Sequence, residues 1–461
     1  MKPRPSLASH CRALVSLGLP IVVGNIGNVV LSFADTLMVG HYGMRELAAA
    51  SFVNTLIMLL IVFAMGFAMS LTPEVGRRFG RGELGRIGGV VRAAAVANTL
   101  LAAMLMGVSA LLYTFVGRMG QPEELLPLIR PYLLVNLLSL PFVCWTNMFC
   151  QLFDTLGHTK VSMVVMVVSN LANIAGNYAL IYGHWGLPEA GLLGAGVSTA
   201  LSRVLMVAMF MAVFFGFRRY RVFRRGFAAG PTDWAVFRRL SALGWPSALQ
   251  TGMETAAFSL TAVFVGWIGT TALAAHQVMI TVSGLFYMVY LGIAVAVSVR
   301  VSHFSGQGDL QAISDTTRAG FRLILAMAAT VSVPIFFLRH QIGGWFTDDA
   351  TVGVLVAQTV IPLILYQFGD GLQCTFANAL RGLGRMRPLM YASFVAYFVV
   401  SLPLSWLLGI CLGYGLVGVW SAFPVCLMVA GALYVAIFRR SMARLGAAGR
   451  AGAVTPLPPS A

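Results

Sequence analysis

Charge is scarce in this chain. Of its 461 residues, 10% are Asp, Glu, Lys or Arg, and only 15 are acidic. With 58% apolar residues there is too little polar material to cover a water-soluble globule, so that class is excluded. The six cysteines (Cys11, Cys144, Cys150, Cys374, Cys411, Cys426) include no Cys-x-x-Cys and fall mostly within or beside apolar runs. They read as small buried hydrophobes, not as a disulfide framework or thiolate metal site. His41, His276 and the other histidines lack metal-ligand spacing, and His276, at the start of a helix, reads as a polar cap. No Gly-x-x-x-x-Gly-Lys-Ser/Thr loop is present, so ATP is not expected to act directly. No nucleophile–base arrangement is visible, so an enzyme is not expected. The first apolar run lacks a small-residue cleavage pattern and reads as a retained span, not a signal peptide.

What the chain does have is runs of roughly 20 apolar residues, each enough to cross about 30 Å of hydrocarbon. Window hydropathy places twelve, at about 13–37, 47–70, 89–115, 131–154, 161–182, 192–217, 241–267, 276–299, 319–339, 353–379, 389–411 and 415–437. The expected class is an all-α polytopic membrane protein, and 49 glycines suit close helix packing in lipid. The formal net charge of +16 would suggest nucleic acid in a soluble protein, but its distribution argues otherwise. Counting arginines near span edges with the adjoining loops, the N-terminus, the even-numbered loops and the tail hold 26 of the 31 Lys and Arg, the odd-numbered loops four, and Arg203 alone reads as lying well inside a span. This is the positive-inside pattern, with both termini expected in the cytoplasm.

The spans repeat. Leu17-Gly18 and Pro20 recur as Leu243-Gly244 and Pro246, Val39-Gly40 as Val265-Gly266, and Leu47-Ala-Ala49 as Leu273-Ala-Ala275. Gly66 answers Gly292, and Gly80-Arg-Gly82-Glu-Leu84 answers Gly306-Gln-Gly308-Asp-Leu310, every pair 226 residues apart. Farther on, Leu156-Gly157 answers Leu383-Gly384, and Gly191-Leu-Leu-Gly194 answers Gly415-Leu-Val-Gly418. Two six-span bundles follow, residues 1–217 and 241–438, joined by a basic cytoplasmic linker, 218–240, and followed by a cytoplasmic tail, 439–461. An even offset of six spans implies a pseudo-two-fold along the membrane normal, a cleft between the halves and alternating access. Thr232 or Asp233 is expected to cap a short linker helix over 234–240, and the Gly/Ala/Pro-rich tail after Leu445 to lack fixed structure.

Three acidic residues fall well inside spans: Asp35, Glu254 and Asp370. A charge at that depth costs about 2.5–3.5 kcal/mol on insertion scales. Glu254, near the middle of the Leu243–Gly266 stretch, has no cation within one helical turn. Each carboxylate sits on a polar stripe at helical spacing: Asn28, Ser32 and Asp35; Gln250, Glu254 and Thr261; Tyr366, Asp370 and Gln373. By the repeat, Glu254 occupies the place of Asn28. Span 5 adds Asn170, Asn173 and Asn177, which serve equally well as interhelical glue. With one arginine against three carboxylates, simple pairing cannot satisfy all of them. An unpaired buried carboxylate holds a proton or binds a cation. A hard ion such as Na+ takes several oxygens, which Glu254, Asp370 and Tyr366 supply if spans 7 and 10 face one another. Asp348 and Asp349 are either solvated or, with Gln277, part of an anionic vestibule for cationic substrates.

Pro20 with Asp35-Thr-Leu-Met-Val-Gly40, Leu47-Ala-Ala49, Ala274-Ala-His-Gln277, Gly306-Gln-Gly-Asp309 and Ala379-Leu-Arg-Gly382, set in twelve spans, resembles the multidrug and toxic compound extrusion (MATE) transporters from about Leu14 to Phe438. Within that family the chain is similar to the NorM-like branch, which carries a glutamate in span 7 and an aspartate in span 10. The resemblance implies that Glu254 and Asp370 bind the coupling cation, typically Na+, with Tyr366 nearby. It also implies that Asp35, Asn173 and Asn177 form a polar site linked to proton or cation coupling. No acidic residue stands among or just after those asparagines, a departure from the DinF-like branch. The implied function is a multidrug antiporter in the bacterial inner membrane. It would be coupled to Na+ or H+ without another cofactor, exporting amphipathic, often cationic drugs or toxic metabolites. The expected partners are those molecules and membrane lipid, with the chain acting as a monomer. The alternative is a lipid or lipid-linked oligosaccharide flippase, which should hold several cations in its cavity where this chain offers Arg203.

Overall fold

The computed structural model describes residues 6–120 and 122–450, with side chains to residue 447, and every regular element among them is helical. Hydrocarbon offers no water to backbone amides, so a spanning segment must satisfy them within itself, and a helix does so. The elements are α1 (Leu7–Tyr42), α2 (Met44–Ala68), α3 (Leu71–Gly80), α4 (Leu84–Phe115), α5 (Leu126–Leu138), α6 (Leu140–Thr155), α7 (Thr159–Tyr182) and α8 (Gly191–Gly216). After these come α9 (Arg221–Ala228), α10 (Trp234–Ile268), α11 (Thr270–Gln307), α12 (Leu310–Ile342), α13 (Ala350–Gly382), α14 (Met386–Phe394), α15 (Leu402–Trp406) and α16 (Gly415–Arg450). Among the described residues, ten helical spans are long and apolar enough to cross a membrane, and the α5–α6 pair, bent by 41°, makes an eleventh. The twelfth is α10, 35 residues long but diluted by Gln250 and Glu254. The protein is therefore an all-α, multi-span membrane protein.

Two expectations are corrected. Asp233 does cap a helix, accepting from the amides of Ala235 at 2.9 Å and Val236 at 3.3 Å, but the helix does not stop at residue 240. It passes through Pro246 and becomes span 7, because one missing backbone bond is tolerable in a long packed helix. The tail expected to lack structure after Leu445 stays helical to Arg450. Its remainder, from residue 451, lies outside the described residues.

The chain divides into two compact units, and the divisions fall inside helices. One unit runs from Val23 to Ala248, and the other combines the described residues up to Val22 with those from Leu249 onward. In the second unit, Leu14 joins a core with Val297, Ile313 and Val301, and His10 bonds Thr316 at 3.0 Å. In the first, Val236, Leu240 and Ala248 of α10 join cores built on α2, α4 and α6. The repeat explains the correspondence. A Cβ on Gly18 would lie 2.8 Å from Ile293, and one on Gly244, its counterpart, 2.7 Å from Phe67, the counterpart of Ile293. Each glycine admits the same helix crossing in its own unit. Recurrent Gly82 and Gly308 both end helices at φ 74°, and Gly157 and Gly384 at 78° and 73°, a region where side chains are strained.

The linker is folded onto α4. A Cβ on Gly226 would overlap the Gly85 carbonyl, so α9 crosses α4 at backbone contact. Arg92, counted from sequence with the loops, lies inside α4 and donates to the carbonyls of Phe227, Ala229 and Pro231. Gly226→Val should lift α9 off its seat at a cost of about 1–3 kcal/mol. The expected result is a lower melting temperature and faster tryptic cleavage at Arg221 to Arg225. Unchanged cleavage would show that the crossing is not what holds the linker.

Candidate functional site

In the unit that holds most of the second half, α10 presents Glu254 to α14–α15. The Tyr397 hydroxyl donates to Glu254 Oε1 at 3.0 Å, and Gln250 Nε2 donates to Oε2 at 3.0 Å. Gln373 of α13 donates to the Tyr397 hydroxyl at 3.1 Å. Arg381, in the last turn of α13, donates to Gln250 Oε1, so a guanidinium reaches the carboxylate through one amide. Tyr397 lies in a π-helical turn, Val395–Ser401, just before Pro403, whose missing amide favours such a register change. The extra residue re-aims a side chain, and here the side chain is the one bonded to Glu254.

Asp370 is buried on α13, within electrostatic reach of Glu254. Its Oδ2 has no hydrogen-bond partner, nor does either amide atom of the fully buried Gln367. Tyr287, Cys374 and Arg381 share the same electrostatic neighbourhood. Buried acceptors without donors are costly, and a cation is one group that would satisfy them. Apart from the Cys374 sulfur the donor set is oxygen-rich and without imidazole, which suits a hard monovalent ion. Tyr366 lies within electrostatic reach of both Asp370 and Glu254. Its ring packs in an aromatic wall with Trp420 and Phe423, 6.0 and 6.1 Å between centroids, and the hydroxyl on Glu254 belongs to Tyr397.

In the other unit, α1, α7 and α8 bring the predicted polar residues together. Asn177 donates to Asp35 Oδ1 at 2.5 Å. With its amide turned so that the oxygen faces Thr199 and Ser202, Asn173 donates to the same Asp35 oxygen at 3.0 Å. Asn170 donates to Asn28 at 3.2 Å. Arg203 is held by Ser139 and Asn136 and reaches Asp35 only through space. The Asn28–Asn170 contact and the Glu254–Tyr397 contact join equivalent positions of the repeat, 226 and 227 residues apart. One junction is amide to amide, the other hydroxyl to carboxylate.

Asp349 caps α13, accepting from the Thr351 amide at 2.8 Å and hydroxyl at 2.6 Å. Those bonds hold its carboxyl below the ordinary range. Asp348 precedes it in a bend, and Gln277 is exposed on α11. His276 is not a cap: it is buried and accepts from the Trp420 indole at 3.1 Å.

The inventory of buried charge also changes. Glu74 and Asp154 are buried as well as Asp370, and Arg381 is buried where Arg203 is only partly so. Glu74 is gripped by Arg77 at 2.9 Å and Arg78 at 2.5 Å. These residues sit near span ends, where hydropathy windows assign charge to loops. Tyr397 was missed too, although Ser393, Tyr397, Ser401 and Ser405 form a legible polar stripe at four-residue steps.

The comparisons with known proteins agree with this architecture. The MatE family model matches residues 20–179 and again 246–407, which is the repeat seen in the sequence. The chain is 30% identical over 445 residues to a protein of Xanthomonas axonopodis pv. citri named probable multidrug resistance protein NorM, covering 96% of this chain and 97% of that one. A Photorhabdus laumondii protein of the same name is 28% identical over 93% of this chain and 95% of its own length. Among solved structures, the MATE transporter VcmN of Vibrio cholerae superposes with a TM-score of 0.86 at 17% identity, over 96% of this chain and 99% of that chain. A MOP superfamily transporter from Pyrococcus furiosus gives 0.84 at 18% identity, over 95% and 97%. At such identities the structures establish the shared fold. With the family model covering well over half of the sequence, and a relative at 30% identity along nearly all of it, the chain belongs to the MatE family.

Proposed function

We propose that this protein is a cation-coupled multidrug exporter of the bacterial inner membrane, acting as a monomer with both termini in the cytoplasm. Inward movement of Na+ or H+ drives outward movement of amphipathic, often cationic compounds by alternating access. The observation that carries the reading is Asp370 Oδ2, a buried carboxylate oxygen without a donor, in electrostatic reach of a second in-span carboxylate, Glu254. The relatives named as NorM multidrug resistance proteins support the substrate class.

Tyr397 and Gln250 occupy one lone pair on each Glu254 oxygen and fix the carboxylate plane. Arg381 polarises Gln250 and keeps Glu254 from being an isolated charge. A cation, or a proton, at Asp370 would then stabilise whichever state of the carrier holds the two carboxylates together. A drug that binds the other state competes with it by linkage, with or without a shared site. Asp35, held by Asn177 and Asn173, is a third in-span carboxylate that can take a proton or cation in the same cycle.

The test is ethidium efflux from proteoliposomes, with a Na+ gradient and a pH gradient imposed separately. Acceleration by at least one gradient is expected. Equal rates with both gradients present and with neither would reject ion coupling.

A further inference from the structure

The basic linker does more than signal topology: we infer that residues 217–234 form a binding surface for anionic phospholipid headgroups. The inner side of this segment is fully engaged. Tyr220 and Phe223 are buried, with Tyr220 edge-on to Phe153 at 5.3 Å. Gly226 touches the α4 backbone, and Arg92 holds three alternate linker carbonyls, of Phe227, Ala229 and Pro231.

The outer side has no such partners. Arg218, Arg219, Arg221 and Arg225 are exposed, and none has a carboxylate partner among the described residues. The one acidic residue in the segment, Asp233, is spent on capping α10. Large apolar side chains are exposed among and beside these arginines: Phe217 at 62%, Val222 at 46% and Trp234 at 63%.

The segment cannot leave the membrane surface. It begins where α8 ends at Gly216, rejoins α10 at Trp234, and is clamped to α4 between them. Its exposed face therefore lies at the level where acyl chains give way to headgroups. Arginines without acidic partners, interleaved with Phe, Val and Trp at that depth, match an interface of lipid phosphates above hydrocarbon. Guanidinium forks suit phosphate oxygens, and the apolar residues enter the acyl boundary beside them. The lipid so bound anchors the start of α10, the helix that carries Glu254.

This inference rests on the multi-span topology and not on ion coupling, and its test reads binding alone. The full-length protein is reconstituted in vesicles of phosphatidylcholine containing the same mole fraction of either brominated phosphatidylglycerol or brominated phosphatidylcholine. Trp234 emission is obtained as the difference between the parent and Trp234→Phe. Quenching by the anionic lipid should exceed that by the zwitterionic lipid by about twofold or more. Arg218→Gln/Arg221→Gln/Arg225→Gln should bring the ratio to unity while Trp234 remains quenched by both lipids. Equal quenching in the parent would overturn headgroup recognition, and absence of quenching would overturn membrane contact. A preference that survives the triple substitution would overturn the assignment to these arginines.

Discussion

Glu254→Gln and Asp370→Asn should each lower ion-driven dye efflux by about a hundredfold, toward the upper end of the range that typical coupling energies of about 1–3 kcal/mol allow. The reasoning is differential affinity: an ion moves a conformational equilibrium only if it binds one state better, and these carboxylates supply that preference. Neutral amides keep much of the shape and hydrogen bonding. In Glu254→Gln, the Tyr397 hydroxyl can still donate to the amide oxygen that takes the place of Oε1. Folding should survive, and the melting temperature should stay level or rise, because a charge in apolar surroundings has been removed. If both residues serve one ion, the double variant should be no worse than either single one, since groups acting as a unit are not additive. Proteoliposome efflux with an imposed gradient, measured beside thermal melting, separates the two effects. Parental efflux in both single variants would end the proposed role of this pair.

Glu74→Leu should be the most destabilising single change among the buried charges outside that site, by about 3 kcal/mol. Glu74 is 3% exposed, and its two oxygens are divided between Arg77 and Arg78. Arg78 also bonds the Glu74 carbonyl, and Arg77 the Pro73 carbonyl, so neither guanidinium can swing freely into water. Removing the carboxylate leaves two cations packed together beside apolar helices, at the low end of the range because both retain some solvent contact. Glu74→Leu/Arg78→Leu should recover part of the loss, since one of the two stranded cations goes with the carboxylate while Arg77 keeps its bond to the Pro73 carbonyl. Thermal or denaturant unfolding of the four members of the cycle measures the interaction. A Glu74→Leu variant as stable as the parent would mean that the pair is effectively solvated.

The polar stripes show how far side-chain spacing carries. Asn173, Asn177 and Asp35 were legible as inward faces of two helices, and they do meet. Spacing along α13 also placed Asp370, but it could not choose which hydroxyl would reach Glu254. Tyr366 was one turn from Asp370 in sequence, yet the bond comes from Tyr397 on a different helix. A π-helical turn shifts the register there, and no periodicity argument based on a regular helix anticipates it. Arg381 and Glu74 were misplaced for a related reason: hydropathy averages over windows, and a charge in the last turn of a span, or just past its apolar run, is read as loop while packing buries it.

Hydrophobic runs, charge asymmetry and the 226-residue repeat determined on their own that this is a multi-span helical membrane protein built twice over. Those features arise from local solvation and local geometry: each run must cross hydrocarbon, Gly18 and Gly244 each admit a helix crossing, and Gly82 and Gly308 each end a helix. Only the tertiary structure decided that α1 and α10 are each shared between two compact units, that Tyr397 and Gln250 hold Glu254, and that the linker is seated on α4. Those outcomes depend on contacts between residues distant in the chain, where packing density and the need to pair every buried polar atom select one arrangement among many that the same local pattern allows.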